Sequence, residues 1–158
     1  MTRIRLAALA LIAAIVALDA ATKAWARNLP ATTGRSWIRV VHNPGAAFGF
    51  GAYAPTLMSA VAVAVAAGIV VVLLRAGRPA VALSLAAVIG GGLANVLDRV
   101  SHGDVTDWIH LPWYPPSFNL ADVAVRAGVI LALLTMLPAR RRGQAPSPRD
   151  PLTTWRRA

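Results

Sequence analysis

The sequence predicts an all-α membrane protein with four transmembrane helices and a small β-containing loop outside the membrane. Of its 158 residues, 57% are hydrophobic and only 14% are charged, which is too apolar for an ordinary soluble domain. The apolar residues form four long stretches, and arginines cluster at the ends of these stretches. Basic residues in such positions set the orientation of membrane helices. The net charge of +10 therefore does not indicate a nucleic-acid partner.

The four spans are predicted over residues 6–26, 56–74, 79–97 and 122–138. Stretches of about 17–25 apolar residues match the bilayer hydrocarbon, and they must be helical because lipid offers backbone groups no hydrogen-bond partners. The spans form one domain over residues 1–138. Residues 139–158 form a basic, proline-containing tail in the cytoplasm, which we expect to be disordered.

The first span also has features of a cleavable secretory signal. Arg3 and Arg5 precede its apolar run, and Ala-Trp-Ala at residues 24–26 is similar to a cleavage site. However, Asp19 and Lys23 stand between the run and that site. We therefore expect a retained helix.

The distribution of basic residues predicts that both termini face the cytoplasm. In that orientation the inner side carries ten Lys and Arg residues and the outer side carries six. The first outer loop, residues 27–55, contains β-forming residues at 36–41 and a turn at 43–45 (Asn-Pro-Gly), which predict a short strand and a turn. The second outer loop, residues 98–121, is a proline-rich return loop.

Three predicted helices carry a polar cluster at their outer ends. The clusters are Asp19, Thr22 and Lys23; Asn95, Asp98 and Arg99; and Asn119, Asp122 and Arg126. Their spacing places each cluster along one helical face. Ionisable groups at this depth are costly unless they face the bundle interior and pair. One interpretation is purely structural, with ion pairs between Asp19 and Lys23, Asp98 and Arg99, and Asp122 and Arg126.

Asp107 is poorly explained by such an ion pair, because no basic residue lies within a turn of it. It stands in an apolar stretch, residues 105–109, and needs a partner. Asp122, which follows the return loop, is the natural candidate. Two facing carboxylates share a proton, so one acts as base and the other as acid. Such a pair can activate water against a carbonyl group.

Other functions have weaker support from the residues. Ser59 and Ser84 lie in mid-membrane with no histidine nearby, so a serine nucleophile is not indicated. The histidines and aspartates between residues 102 and 110 lack a recognised metal-ligand spacing, and we expect neither a metal nor another cofactor. A transporter or proton channel would need polar residues through the whole bilayer, and the second and third spans have few. A non-catalytic assembly subunit remains an alternative.

Four blocks of sequence stand at the outer ends of the predicted spans. They read Asp-Ala-Ala-Thr-Lys at 19–23, His-Asn-Pro-Gly-Ala-Ala-Phe-Gly at 42–49, Gly-Gly-Leu-Ala-Asn-Val-Leu-Asp-Arg at 91–99 with a continuation at 103–108, and Phe-Asn-Leu-Ala-Asp at 118–122. In these blocks and their order the chain resembles the lipoprotein signal peptidases, or signal peptidase II, a family of bacterial membrane aspartic peptidases. One block alone would be a weak signal, whereas four in order are highly specific.

The resemblance implies an endopeptidase that removes signal peptides from diacylglyceryl-modified prolipoproteins by cleaving before the lipidated cysteine. Asp107 and Asp122 match the catalytic aspartates, and Asp19 and Lys23 match a pair that supports the structure. The residues expected to bind substrate or cover the site are Asn43, Gly45, Phe48, Asn95, Asp98, Arg99 and Asn119.

The resemblance also implies a place for the protein in the cell. It predicts a monomer in the bacterial cytoplasmic (inner) membrane, in contact with membrane lipids, with its active site at the extracytoplasmic face. It further predicts inhibition by globomycin-type cyclic peptides.

The chain departs from the family pattern at a few positions. Ala94 stands where Gly is usual, Thr106 replaces an aliphatic residue beside Asp107, and Val123 and Ala124 follow Asp122 where a Ser is common. None of these changes removes a catalytic group. Thr106 brings a hydroxyl that can alter the hydrogen bonding of Asp107.

Overall fold

The structure, a computed structural model, describes residues 2–29, 37–44, 66–67, 70 and 78–136. The elements are α1 (Thr2–Arg27), β1 (Ile38–Asn43), α2 (Pro79–His102), β2 (Val105–Leu111), β3 (Tyr114–Phe118) and α3 (Leu120–Met136). The described part is mostly helical, as predicted. Residues 66, 67 and 70 are helical, but most of the predicted second span and the whole tail lie outside the described residues.

Two of the described helices, Arg3–Arg27 and Pro79–His102, are long and apolar enough to cross a membrane. Large apolar side chains cover the outer faces of α1 and α3, and seven of them are more than half exposed: Leu6, Leu9, Leu18, Ile130, Leu131, Leu133 and Leu134. A contiguous apolar exterior of this kind is unfavourable in water and favourable in lipid. The observed surface therefore fits a membrane protein.

Glycines on α2 allow the helices to pack at close range. A Cβ atom at Gly90 would lie 3.2 Å from the Cα of Ile12 on α1. A Cβ atom at Gly91 would lie 2.4 Å from the carbonyl oxygen of Ala121 on α3. In membranes, helix association depends on such small residues because lipid removes the hydrophobic driving force between helices. Helix α2 is therefore the centre of the described bundle, in contact with both of its neighbours.

A three-stranded antiparallel sheet of order β1-β2-β3 lies at one end of the helices. Helix α2 ends at Gly103, whose φ of 85° is left-handed and whose N–H donates to the carbonyl of Arg99 at 2.8 Å. Glycine adopts this conformation without a Cβ penalty. Strand β2 begins two residues later, so the turn carries the chain directly from the helix into the sheet.

The sheet is larger than the sequence predicted. Strand β1 lies in the stretch expected to contain a strand, whereas β2 and β3 replace the expected irregular return loop. Strand β3 contains Pro115 and Pro116, a composition that argues against a central strand. It is tolerated because β3 is at the edge of the described sheet and because its pairing with β2 is irregular between Ile109 and Leu111, opposite the two prolines. Helix α2 also extends to His102, beyond the predicted end at 97.

Candidate active site

Asp107 lies on β2 where the sheet meets the helix ends, and its side chain is only 3% exposed. Both of its carboxylate oxygens accept hydrogen bonds from side-chain amides. Asn43 on β1 donates from Nδ2 to Oδ2 at 3.0 Å, and Asn119 donates from Nδ2 to Oδ1 at 2.6 Å. The register that sets Asn43 opposite Val105, and Val41 opposite Asp107, brings the first amide within reach.

Asp122 lies in the first turn of α3 and forms a capping box with Asn119, the residue before the helix. The backbone N–H of Asp122 donates to Asn119 Oδ1 at 2.9 Å, and the backbone N–H of Asn119 donates to Asp122 Oδ2 at 3.4 Å. A capping box satisfies N–H groups that a helix start leaves unpaired. From α2, Asn95 donates from Nδ2 to Asp122 Oδ1 at 2.9 Å.

Asn119 joins the two aspartates directly. Its Oδ1 accepts from the backbone of Asp122, which turns its Nδ2 toward Asp107. The side-chain amide is therefore held between the two residues, and the capping box fixes the position of Asp122 relative to Asp107. The two candidate acids, from β2 and α3, share one hydrogen-bond network.

The electrostatic setting of Asp107 moves its pKa toward neutral pH. Burial raises the pKa of Asp107 to about 6, and the negative charge of Asp122 also raises it. Hydrogen bonds from Asn43 and Asn119 and the positive charge of Lys23 act in the opposite direction. A carboxyl group in this range can both take and release a proton near neutral pH.

A buried ion cluster lies beside the two acids. Lys23 Nζ is 2.7 Å from Asp19 Oδ2 and 3.3 Å from Asp98 Oδ2, and the side chains of Lys23 and Asp19 are each 1% exposed. Lys23 also donates to Asn95 Oδ1 at 2.8 Å. The cluster thus connects α1 and α2 to the amide that contacts Asp122.

Asp19 and Asp98 each bind a backbone N–H of a neighbouring element. Asp19 Oδ1 accepts from the N–H of Ala121 at 2.9 Å, which ties α1 to the start of α3. Asp98 Oδ2 accepts from the N–H of Thr106 at 2.8 Å, which ties α2 to β2. Both contacts position the elements that carry the candidate acids.

The ion pairs differ from two of those suggested by sequence spacing. Asp98 pairs with Lys23 and with Arg27 of α1. Its suggested partner Arg99 is the next residue of α2, so the two side chains leave the helix in directions about 100° apart. The guanidinium of Arg126 lies 5.3 Å from the ring centre of Phe118, while Asp122 is engaged by Asn95 and Asn119. The suggested pair of Asp19 with Lys23 is present, with Lys23 Nζ 2.7 Å from Asp19 Oδ2.

Most of the site residues expected from the resemblance lie together. Asn43, Asn95 and Asn119 contact the two aspartates, and Asp98 and Lys23 adjoin them. Arg99 is half-buried on α2, next to Asp98 in sequence. Gly45 and Phe48 lie outside the described residues.

Two residues of the network were not selected from the sequence. Arg27 pairs with Asp98 and donates from Nε to Thr106 Oγ1 at 2.9 Å, and Thr106 is fully buried. The hydroxyl of Thr106 is therefore used toward Arg27. A signal for Arg27 existed, because it follows Lys23 by four residues and so extends the same helical face.

Asp104 lies apart from the buried network. It is partly exposed, and His42 Nδ1 is 3.2 Å from its carboxylate across the β1–β2 pair. Within the part of the chain that the structure describes, no group of three or more His and Asp side chains is placed to hold a metal ion. The groups that contact Asp107 and Asp122 are the side-chain amides of Asn43, Asn95 and Asn119.

The chain is similar to known proteins over most of its length. A family model described as Signal peptidase (SPase) II matches residues 11–138. A lipoprotein signal peptidase of Pseudomonas fluorescens is 40% identical over 119 residues, which cover 69% of this chain and 69% of the relative. A lipoprotein signal peptidase of Methylorubrum extorquens (strain PA1) is 35% identical over 170 residues, which cover 97% of this chain and 94% of the relative.

The fold also matches a solved structure. A bacterial membrane enzyme superposes with a TM-score of 0.74, covering 82% of this chain and 86% of that chain. The two sequences are 23% identical, so this likeness concerns the fold alone.

Proposed function

Because the chain belongs to the signal peptidase II family, it is a membrane aspartic peptidase that removes signal peptides from prolipoproteins, and we propose that Asp107 and Asp122 are its catalytic carboxylates. The observation that carries the proposal is the shared network, in which Asn119 contacts both residues and Asp107 is 3% exposed. The negative charge of Asp122 disfavours ionisation of Asp107, and two carboxylates coupled in this way are favoured to hold a single proton between them.

The pair performs general acid–base catalysis on a water molecule. The ionised carboxylate removes a proton from water as the water oxygen attacks the carbonyl carbon of the scissile bond. The protonated carboxyl donates its proton to the carbonyl oxygen, which gives a tetrahedral gem-diol. The carboxyl that took a proton from water then donates that proton to the leaving nitrogen, while the other carboxylate removes a proton from one gem-diol hydroxyl. The C–N bond breaks, the products are a carboxylic acid and an amine, and the pair again holds one proton. The two groups titrate as a unit, so the roles of base and acid belong to the pair.

The three asparagines are proposed to hold this pair in place. Asn43 and Asn119 direct NH₂ groups at Asp107, and Asn95 directs one at Asp122. These fixed donors stabilise the ionised form without reorganisation during the reaction. The resemblance gives these residues as lining the substrate site, and we assign them the additional task of positioning the acids. The half-buried guanidinium of Arg99 is the proposed donor to substrate carbonyl groups.

The substrate is proposed to enter from the lipid. Leu93, Leu97 and Val100 on α2 and Val123 on α3 present exposed apolar surface near the polar ends of the helices. Acyl chains of the modified cysteine would remain in the bilayer along this surface. The bond before that cysteine would then reach the pair at the membrane interface. The loop with Gly45 and Phe48 is proposed to cover the site and exclude water.

We further propose the complete topology that the sequence predicts. Four helices cross the inner membrane with both termini in the cytoplasm, and the site faces the extracytoplasmic side. The positions of the three clusters support this proposal. They lie at the carboxyl ends of α1 and α2 and at the amino end of α3, which is the same side for alternating spans. A single chain is expected to be sufficient for activity, and globomycin-type peptides are expected to block the pair.

The direct test is processing of a lipid-modified proprotein by Asp107→Asn and Asp122→Asn variants that insert normally. Each substitution preserves size but removes a group that exchanges a proton, so each variant should lose activity by several orders of magnitude. Asp104→Asn is the matched control, because Asp104 is partly exposed and contacts His42 instead of the network. Full activity in either Asp107→Asn or Asp122→Asn would refute the assignment.

A further inference from the structure

Lys23 is in contact with more than its ion-pair partners. Its ammonium group is 1% exposed and lies between Asp19 of its own helix and Asp98 of α2. Its third contact is the 2.8 Å hydrogen bond to Asn95 Oδ1. An ion pair with Asp19 and Asp98 would suffice to join the helices. The contact with Asn95 reaches into the network of the candidate catalytic pair.

The contact fixes which way the Asn95 amide points. A side-chain amide has one accepting and one donating end, and rotation by half a turn exchanges them. The ammonium of Lys23 can only donate, so it holds Oδ1 toward itself and leaves Nδ2 facing Asp122 at 2.9 Å. Asn119 Nδ2 also approaches Asn95 Oδ1, at 3.2 Å. In the reversed orientation, the amide oxygen of Asn95 would face the carboxylate of Asp122, which is repulsive.

We propose that Lys23 is a positioning residue for catalysis, whose ammonium holds the Asn95 amide in the orientation that donates to Asp122. This inference rests on the proposed function of Asp107 and Asp122. It gives Lys23 a task beyond the structural support that the resemblance implies. Lys23 acts through Asn95 and does not itself touch either acid.

The charge of Lys23 should also be visible in the pH dependence of activity. The charged groups that face the ammonium are Asp19 on α1, Asp98 on α2 and, at longer range, Asp107 on β2. Asp122 on α3 lies beyond Asn95, and Arg27 is one turn further along α1. The positive charge of Lys23 lowers the pKa of Asp107 against the larger effect of burial. Removal of that charge makes ionisation of the pair harder. The acid limb of the pH–rate profile should then move to higher pH.

The experiment compares Lys23→Met with Arg27→Gln in the purified, full-length enzyme in lipid nanodiscs. The substrate is a peptide with a diacylglyceryl-modified cysteine, and kcat, KM and apparent Tm are measured across pH. Lys23→Met should lower kcat roughly tenfold to a hundredfold with little change in KM, as expected when a preorganised donor is lost. Its acid limb should move to higher pH.

Arg27→Gln is the matched control. Arg27 is also a cation of α1 paired with Asp98, but its side-chain contacts are Asp98, Thr106 and His102 instead of Asn95. Its loss should lower Tm and leave the acid limb in place. If Lys23→Met and Arg27→Gln lose kcat in proportion to Tm and neither moves the acid limb, Lys23 is only structural and the proposal is overturned.

A second variant covers the case in which Lys23→Met does not accumulate. The double variant Asp19→Asn/Lys23→Met removes both charges of the 2.7 Å pair, keeps an acceptor for Ala121 N–H, and leaves Asp98 paired with Arg27. It should show the same fall in kcat, with a smaller shift of the acid limb because loss of the Asp19 charge opposes loss of the Lys23 charge. A wild-type kcat in this variant would overturn the proposal. If Asp107→Asn retained activity, the proposed function itself would fail. Wild-type behaviour of Lys23→Met beside an inactive Asp107→Asn would refute only the role of Lys23.

Discussion

At the scale of single residues, Asp107 combines two opposed influences. Burial and the nearby charge of Asp122 disfavour its ionised form, whereas two amide donors and Lys23 favour it. The first influence prevails, and the pKa is raised to about 6. A buried acid of this kind is useful for proton transfer but unfavourable for folding above its pKa. The same burial that suits Asp107 to proton transfer therefore lowers the stability of the folded protein above that pKa.

The sign of this coupling gives a prediction for Asp107→Asn. The ordinary pKa is 3.8, so Asp107 favours the folded state most below that pH, and the contribution is lost as pH rises through about 6. Above pH 6 the variant should be the more stable protein. The gain is at most about 3 kcal/mol, reduced because an amide side chain leaves one donor of Asn43 or Asn119 without its acceptor.

The measurement is the apparent Tm of both proteins in detergent at pH 4 and pH 7.5. The apparent Tm of the variant minus that of the wild type should be higher at pH 7.5 than at pH 4. A difference that does not vary with pH would contradict the assignment of this ionisation to Asp107.

At the scale of elements, the site depends on how closely α2 and α3 approach. The absent side chain of Gly91 lets the backbone of Ala121 come near, and Asp122 is the next residue. The capping box then fixes the first turn of α3, and Asp19 binds one of its N–H groups from α1. The position of Asp122 is therefore set by backbone contacts between three helices as well as by its own hydrogen bonds.

Gly91→Ala should displace the start of α3. The new Cβ would lie 2.4 Å from Ala121 O and 2.8 Å from Val125 Cγ2, and the backbone oxygen cannot move aside without moving the helix. We expect a loss of stability of about 1–3 kcal/mol, typical of overpacking, together with reduced processing. Apparent Tm and the rate of lipopeptide cleavage measure the two effects.

Gly92→Ala is the neighbouring control. A Cβ at Gly92 would meet nothing within 4 Å. Alanine is better than glycine inside a helix by roughly 0.5–1 kcal/mol, so this variant should be as stable as the wild type or slightly more stable. Equal losses in the two variants would show that close packing at Gly91 is not the cause.

At the scale of the whole molecule, charge and apolar surface together support a membrane orientation. The apolar exterior of the described helices belongs in lipid, and the polar network lies where the helices meet the sheet. The excess of basic residues predicted for the opposite side, ten against six, favours retention of that side in the cytoplasm. The proposed site should therefore be accessible from outside the cytoplasm.

The absence of cysteine from the chain makes this orientation easy to test. Arg78 and Ser101 are exposed residues at opposite ends of α2. In right-side-out spheroplasts, a membrane-impermeant maleimide should label Ser101→Cys at once and Arg78→Cys only after the membrane is opened. The reverse pattern would place the site in the cytoplasm.

Sequence reasoning selected residues that the structure brings together where the signal is local. Asn43, Asn95 and Asn119 were selected from motifs, and the structure places all three against the two aspartates. It was least successful where partners are distant in sequence. Asp98 contacts Arg27, 71 residues away, and the spacing of the residues on α2 did not suggest that partner. Strand β2 was missed for the same reason, since its pairing with β1 is a long-range interaction.

The sequence by itself determined the membrane class, the family and the identity of the candidate acids. Apolar length and motif order are properties of the chain, and the cost of exposing polar backbone to lipid applies to any span of that composition. Only the tertiary structure decided how the acids are held. Spacing alone could not separate Asp122 from an ion pair with Arg126. In the folded protein, the Asn95 side-chain amide and the Asn119 backbone N–H donate to the Asp122 carboxylate, because helix packing brings them within reach. Hydrogen bonds depend on distance and direction between elements, and those are fixed by folding.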